Sequence, residues 1–363
     1  MKIAYTVCTA NYLAYAKTLA DSLIEHNPDY IFYIGLVDRV DGRFDVSFFA
    51  PHQLVEVENW NIPYFSEMSE KYSLFELSNA MKPYFADYLL RNVENIDILV
   101  YMDSDMLVFG GFSFVEECLK ENSICLTPHI LTPIPDDNLI PREPSFLNAG
   151  VYNGGFVAIR PDQNSIAFIN WWKNVLRDYC WVKVQEGLFV DQLWLNLVPI
   201  FFDKVFILKH GGYNVAFYNL HERHITLKNG KHQVNSREDL IVFHYTGYDV
   251  KQPQTLSRHQ SRFDFDYRKD VLPLFQIYAE TVARNNLDFF EVLAYAYDYR
   301  KQEKLAEQLA EQLKEEIRHK EAQEQFWQEI VGLVRKEVAR ESSRIQSRTL
   351  SARVKKKIKQ YVS

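Results

Sequence analysis

The chain has 363 residues, of which 47% are hydrophobic and 25% charged. That is ordinary for a protein with a packed core and sufficient for one large α/β domain with additions, or for two domains. A formal net charge of −7 excludes a general nucleic-acid binder, which needs a basic face, and no apolar run approaches the ~20 residues of a transmembrane helix. Cys8, Cys118, Cys125 and Cys180 form no CxxC pair and no zinc-type cluster, so a reduced, cytoplasmic setting is expected. The N-terminus lacks the long apolar region and cleavage site of a signal peptide.

Ile3 to Cys8 is β-prone and gives way at Thr9-Ala-Asn11 to a helical pattern through Leu13, Ala16, Leu19 and Leu23, which Asn27-Pro28 ends. Ile31 to Val37 is the next strand, so the chain opens as β-loop-α-β, the start of a layered α/β domain. Residues 73–90 turn helical, with Lys82-Pro83 expected at a helix start, where proline is tolerated. Ile96 to Met102 is the strongest strand signal and runs directly into Asp103-Ser104-Asp105, placing carboxylates where open α/β sheets bind ligands.

Residues 128–144 hold five prolines and Asp136-Asp137-Asn138, a long loop of the kind that is often functional. Asn148 to Ile159 reads as a glycine-containing turn followed by a strand at Phe156 to Ile159. A helix through Ile166, Ile169, Trp172 and Leu176 follows. Val205 to Leu208 and Leu240 to His244 are short strands. From residue 265 the character changes: 271–299 is helical and apolar, and 301–340 is a charged helix with Leu305, Leu309, Leu313 and Ile317 on one stripe, interrupted only at Gly332. The expected division is 1–264 for the α/β domain and 265–363 for a C-terminal helical extension, whose long helix suits self-association. From Arg344 onward there are seven basic residues and no acidic ones. Val354 to Val362 places apolar residues on one helical face and lysines opposite, a pattern suited to peripheral contact with an anionic membrane or to docking on an acidic subunit.

Four groups of residues carry chemistry. Asp103 and Asp105, spaced i, i+2 at a strand end, can offer oxygens to one hard cation such as Mg²⁺ or Mn²⁺, which complete their shell with substrate phosphates. His244 ends another apolar strand and supplies an imidazole suited to Mn²⁺. Asn153-Gly154-Gly155 offers close backbone approach to a ligand. Asp191-Gln192 sets a carboxylate beside an amide, fit to hold sugar hydroxyls or to sit near a reacting carbon. Each also has a plain structural reading: solvated loop acids, a core histidine, an ordinary turn, and a helix N-terminal aspartate favoured by the macrodipole.

Taken together and in order, these residues resemble the GT-A nucleotide-diphospho-sugar glycosyltransferases, nearest to the bacterial members of the family 8 type. Ala4 to Tyr12 resembles the family's nucleotide-base pocket, Tyr101-Met-Asp-Ser-Asp105 its YxDxD, and Asn148 to Gly155 with Asp191-Gln192 its NxG and DQ elements. His244-Tyr-Thr-Gly-Tyr-Asp-Val-Lys-Gln-Pro253 resembles its HFxGxxKPW, with one extra residue before Lys251 and no tryptophan after the proline. Gly212 to Asn219 is also similar to a stretch in bacterial glycosyltransferases of this kind. The resemblance covers residues 1–260. It implies a Rossmann-like mixed sheet with helices on both faces, and a metal-dependent, hexosyltransferase-like enzyme moving a sugar from a UDP-sugar to a glycan or lipid-linked acceptor, as in polysaccharide biosynthesis. By the same resemblance Asp103, Asp105 and His244 would hold the metal. Thr9, Asn11 and Tyr12 would lie by the base and ribose, Lys82 and Ser104 by the donor, and Lys251 by its phosphates. Asn153, Gly154, Asp191 and Gln192 would face the donor sugar and acceptor. Retention of anomeric configuration is implied, with Asp191 or Gln192 supporting an oxocarbenium-like sugar, whereas an inverting enzyme would use Asp191 as base. Two other classes stay open: a non-catalytic scaffold built on the same fold, and a sugar-phosphate nucleotidyltransferase, which would need a glycine-rich basic loop that Thr9 to Tyr12 lacks.

Overall fold

The computed structural model of the chain describes residues 1–342 and 356–360. The β-prone runs of the sequence pair as β1 (Lys2–Cys8), β2 (Tyr30–Leu36), β3 (Gln53–Glu56), β4 (Ile98–Met102), β5 (Met106–Val108), β6 (Ile124–Pro128) and β7 (Tyr152–Ile159). They continue as β8 (Val182–Lys183), β9 (Leu188–Phe189), β10 (Val205–Ile207), β11 (Ile225–Lys228), β12 (Lys231–Val234), β13 (Glu238–Asp239) and β14 (Val242–His244). Seven form the central sheet in the order β10-β6-β7-β4-β1-β2-β3. β7 runs antiparallel to both its neighbours, and all other pairings are parallel. β5 and β14 make a separate antiparallel pair directly after β4.

The helices are α1 (Leu13–His26), α2 (Phe65–Lys71), α3 (Leu74–Asn92), α4 (Ser113–Glu121), α5 (Glu143–Ala149), α6 (Gln163–Tyr179), α7 (Val198–Phe201), α8 (Leu272–Arg284), α9 (Leu287–Phe290) and α10 (Tyr299–Ser342). The two-residue period of a strand divides the core between the faces of the sheet. Ile3, Tyr5, Leu99, Tyr101, Val157 and Ile159 point to the side covered by α3 and α6. Ala4, Val100, Met102, Phe156 and Ala158 point to the side covered by α1 and α8. The mostly parallel mixed sheet with helices on both faces and a C-terminal helix is the architecture expected from the sequence.

Three details differ from the sequence reading. Lys82-Pro83 is not a helix start: Pro83 lies inside α3. The helix begins instead at Ser73, whose hydroxyl accepts the Glu76 N–H while Glu76 accepts the Ser73 N–H, a reciprocal cap that satisfies two otherwise orphaned donors. The interior proline forfeits one ladder hydrogen bond, and burial of Leu77, Met81, Phe85 and Leu89 on the same helix offsets it. Asn153-Gly154-Gly155 does not precede a strand but lies within β7. The first compact unit spans Met1–Tyr297, past the boundary expected at 264, because Leu274, Phe275, Tyr278 and Val282 of α8 belong to the core that α1 covers.

Residues 298–363 form a second unit. In it α10 runs unbroken through Gly332, with Leu309, Leu313 and Ile317 exposed. Lys357 pairs with Glu329. Most of the basic tail, including Arg344, Arg348, Arg353 and Lys355, lies outside the described residues. Among the described residues no helix is long and apolar enough to cross a membrane, and all four cysteines are free thiols.

Because α3 carries a side chain central to the site described below, its cap is the part of the fold most worth testing. Ser73→Ala is expected to lower unfolding free energy in urea by about 1 kcal/mol. Glu76→Ala should exceed that loss, since the buried Glu76 carboxylate also accepts the Val182 N–H at 2.8 Å. Equal losses would mean that the Val182 contact contributes nothing.

Candidate active site

The strand order reverses between β1 and β4: β1, β2 and β3 step outward in one direction, and β4 returns to the other side of β1. Parallel strands that part in this way leave a crevice at their carboxyl ends. Thr9–Tyr12 leave β1 there, and Asp103–Asp105 leave β4 there. β7 is antiparallel, so its first residues, Tyr152 to Gly155, reach the same end.

The acidic turn is held from two sides. The Asp103 N–H donates to the Gly155 carbonyl at 2.9 Å, and the Asp105 carbonyl accepts from the Tyr245 N–H at 2.9 Å. The pairing of β5 with β14 sets His244 opposite Met106, one residue past Asp105. His244 Nε2 therefore lies 3.1 Å from Asp105 Oδ1 and 3.8 Å from Asp103 Oδ2. Asp103, Asp105 and His244 each present a ligand atom, all within 4.8 Å of one another. Two carboxylate oxygens and one imidazole nitrogen suit Mn²⁺ or Mg²⁺. Glycine at 155 leaves them room: a Cβ there would stand 2.7 Å from Asp103 Oδ2.

On the other side of Asp103 lies Lys82, 3% exposed. Its ammonium is 3.0 Å from Asp103 Oδ1 and 2.9 Å from Asp191 Oδ2, and it donates to the Gly154 carbonyl at 3.2 Å. The Tyr101 hydroxyl donates to the same Asp103 Oδ1 at 2.6 Å, and the Tyr101 ring lies 4.8 Å from the ammonium. Burial pulls the Lys82 ammonium towards losing its proton, but Asp103 and Asp191 more than reverse this and hold it charged. Burial pushes Asp191 up to about 6, with Lys82 opposing and Asp103 adding to the rise. For Asp105 burial acts upward as well, yet the His244 imidazole prevails and keeps the carboxyl below its usual range. His244 is raised in return: burial acts downward, and Asp105 and then Asp103 outweigh it.

Glycine at 154 is required by space, not by backbone angle. A Cβ there would come within 2.3 Å of Asp191 Oδ2 and 3.1 Å of Gln192 Cβ. Asp191 is 2% exposed and Gln192 half-buried, and the Gly154 N–H points at Gln192 Oε1 at 3.4 Å. The Asn153 amide is buried: its nitrogen donates to His129 Nε2 at 3.0 Å, and its oxygen accepts the Gly155 N–H.

The structure thus gathers Lys82, Asp103, Asp105, Asn153, Gly154, Asp191, Gln192 and His244 at one place, with Ser104 buried in the turn. Thr9, Asn11 and Tyr12 sit at the neighbouring strand end, where the Thr9 hydroxyl donates to Asn11 Oδ1 and the Tyr12 ring is exposed. Lys251 is not brought to the cluster: its ammonium bonds Glu291 and lies 3.6 Å from Asp288 on an exposed surface. Sequence reasoning missed the Tyr101 hydroxyl, although Tyr101 heads the acidic motif. It also missed His129, which carries no local signal, and the two buried asparagines Asn214 and Asn219, which lie in a stretch singled out only by resemblance.

No protein-family profile matches the chain. It is similar to two uncharacterized proteins of Bacillus subtilis (strain 168). YfnF is 25% identical over 200 residues, 53% of this chain, and YfnD is 20% identical over 251 residues, 68% of it. The chain spans 65% of the length of YfnF and 77% of that of YfnD. Among solved structures it is similar to the galactosyltransferase LgtC in complex with donor and acceptor sugar analogues, with a TM-score of 0.42 and 13% identity, covering 78% of this chain and 96% of that one. It is also similar to the glycosyltransferase GlyE of Streptococcus pneumoniae TIGR4, with a TM-score of 0.44 and 17% identity, covering 78% of this chain and 62% of that one.

His129 yields a pH test. Burial holds its imidazole down at about 3, against 6.5 when solvated. A protonated Nε2 would also face the Asn153 amide nitrogen donor to donor. The folded state therefore binds fewer protons than the unfolded chain, and the stabilising contribution is complete above 6.5 and lost as pH falls towards 3. Between pH 7.5 and 5.0 His129 should remove about 2 kcal/mol of unfolding free energy. In urea titrations at these two pH values, His129→Gln should lose correspondingly less than the wild type. Identical losses would refute a neutral buried His129.

Proposed function

We propose that this chain is a metal-dependent glycosyltransferase that takes a sugar from a nucleotide diphosphate donor, with UDP as the nucleotide, and passes it to a glycan or lipid-linked acceptor. The observation that carries this reading is the cluster of Asp103, Asp105 and His244 at the strand switch point, backed by the buried Lys82 and Asp191. Asp103, Asp105 and His244 would hold a Mn²⁺ or Mg²⁺ ion, and its chemistry there would be electrostatic stabilisation of the negative charge that develops on a departing diphosphate.

The chain's own groups fill the remaining roles. Thr9, Asn11 and Tyr12, which follow β1, would receive the base and ribose. Lys82 pairs with Asp103 and Asp191 together, and so holds the Asp103 carboxylate in one orientation. Asp191 is too covered to take a proton from an acceptor directly, and its oxygen facing Lys82 is already engaged. That favours retention over inversion by an Asp191 base, with the more accessible Gln192 beside the glycine backbone of β7 as the group that faces the reacting sugar. Lys251 would reach the diphosphate only by leaving Glu291 and Asp288. A cavity of about 430 Å³ opens beside Tyr152, walled by Ile130, Leu131, Phe146 and Leu147 with Glu143 and Lys209.

The test is UDP release from a panel of UDP-sugars by the purified chain. Release from one donor in Mn²⁺, abolished by EDTA, is expected. Asp105→Ala should reduce it by more than about a hundredfold, beyond what loss of a mere supporting partner of a metal produces. If the chain neither releases UDP nor binds it in a Mn²⁺-dependent way, it is a scaffold on this fold rather than an enzyme.

A further inference from the structure

The segment from Gly212 to Asn219 contains no residue of the cluster, yet it underlies it. The Gly212 carbonyl accepts the Ile241 and Val242 N–H groups, Val215 bridges to Phe243, and the His244 N–H donates to the Val215 carbonyl at 2.8 Å. A side chain at 212 would drive a Cβ to 1.9 Å from the Asp239 carbonyl, so only glycine lets the segment lie against β14. Asn214 takes a left-handed backbone angle, φ +53, is fully buried, and points its amide oxygen at His244 Nδ1 at 3.1 Å. Asn219 pins this geometry: its amide nitrogen donates to the carbonyls of Asn214 and His129, and its oxygen accepts the Ala216 N–H.

We propose that Asn214 is a positioning residue for the metal site, its amide oxygen holding the His244 proton on Nδ1 so that the Nε2 lone pair faces Asp103 and Asp105. The inference rests on the metal reading of that cluster. Imidazole ligates through an unprotonated nitrogen, and which nitrogen is free is set by the hydrogen bond at the other. An acceptor at Nδ1 leaves Nε2 as the ligating atom; a donor there would force the proton to Nε2 and close the site. Asn219 extends the same support through His129 to Asn153, so the metal side and the glycine side of the crevice share one buried polar frame.

Two variants separate the hydrogen bond from the backbone. Asn214→Gly keeps the left-handed angle and removes the acceptor. Asn214→Asp keeps an acceptor, and aspartate tolerates that angle. Titration of the full chain with Mn²⁺ alone, followed by calorimetry, should show binding weakened about 10- to 100-fold in N214G and within about threefold of wild type in N214D. Undiminished binding in N214G, or N214D as weak as N214G while both unfold at the wild-type temperature, overturns the role of Asn214. A wild-type chain that binds no Mn²⁺ removes the metal reading itself. Nitrogen-15 spectra of the Mg²⁺-loaded wild type, with the signal assigned through His244→Gln, require no Asn214 variant: a proton on Nδ1 is expected, and one on Nε2 overturns the inference.

Discussion

One buried ammonium organises this crevice. Three carboxylates meet here, Asp103 and Asp105 in the turn after β4 and Asp191 in the turn after β9, and like charges this close repel strongly in a partly dry site. Lys82 bonds two of them and the Gly154 carbonyl at once. Without it Asp191 would be a buried carboxylate lacking its ion-pair partner, a state that ordinarily forces protonation. With it, three carboxylates against one ammonium leave a formal excess of two negative charges, with a half-committed imidazole alongside.

The same ammonium explains why α3 is built as it is. The helix must deliver a long cationic side chain through the face of the sheet at one height, and it does so despite an interior proline one residue on. A reciprocal cap at Ser73 and Glu76 fixes where the helix begins, and the apolar face from Leu77 to Leu89 fixes its rotation. The two glycines of β7 belong to this arrangement too. They are absent side chains where Asp191 and Asp103 need the space, and neither uses the backbone freedom for which glycine is usually selected.

On the side of His244 turned away from Asp103 and Asp105, the Nδ1 of the imidazole meets a neutral amide, that of Asn214. Asn214 and Asn219 satisfy backbone and side-chain groups deep in the interior, where an unpaired polar atom would be costly. The crevice therefore has an ionic wall and an amide wall. The ionic wall sets charge, and the amide wall sets orientation.

The chain's local pattern determined much of this. The run from Ile98 to Met102 had to be a strand, the acids had to follow it, and His244 had to close another strand, because apolar continuity and chain adjacency are properties of neighbouring residues. The β-loop-α-β order of its first elements likewise set the layered α/β class. Only tertiary structure decided that Lys82 faces inward between two aspartates, that Lys251 pairs with Glu291 on the surface, that Gly154 answers to Asp191, and that His129 and two asparagines stand behind the cluster. Those facts depend on partners between 24 and 109 residues apart along the chain. Side chains so far apart meet only where the strand order places them, and no local period or propensity encodes that order.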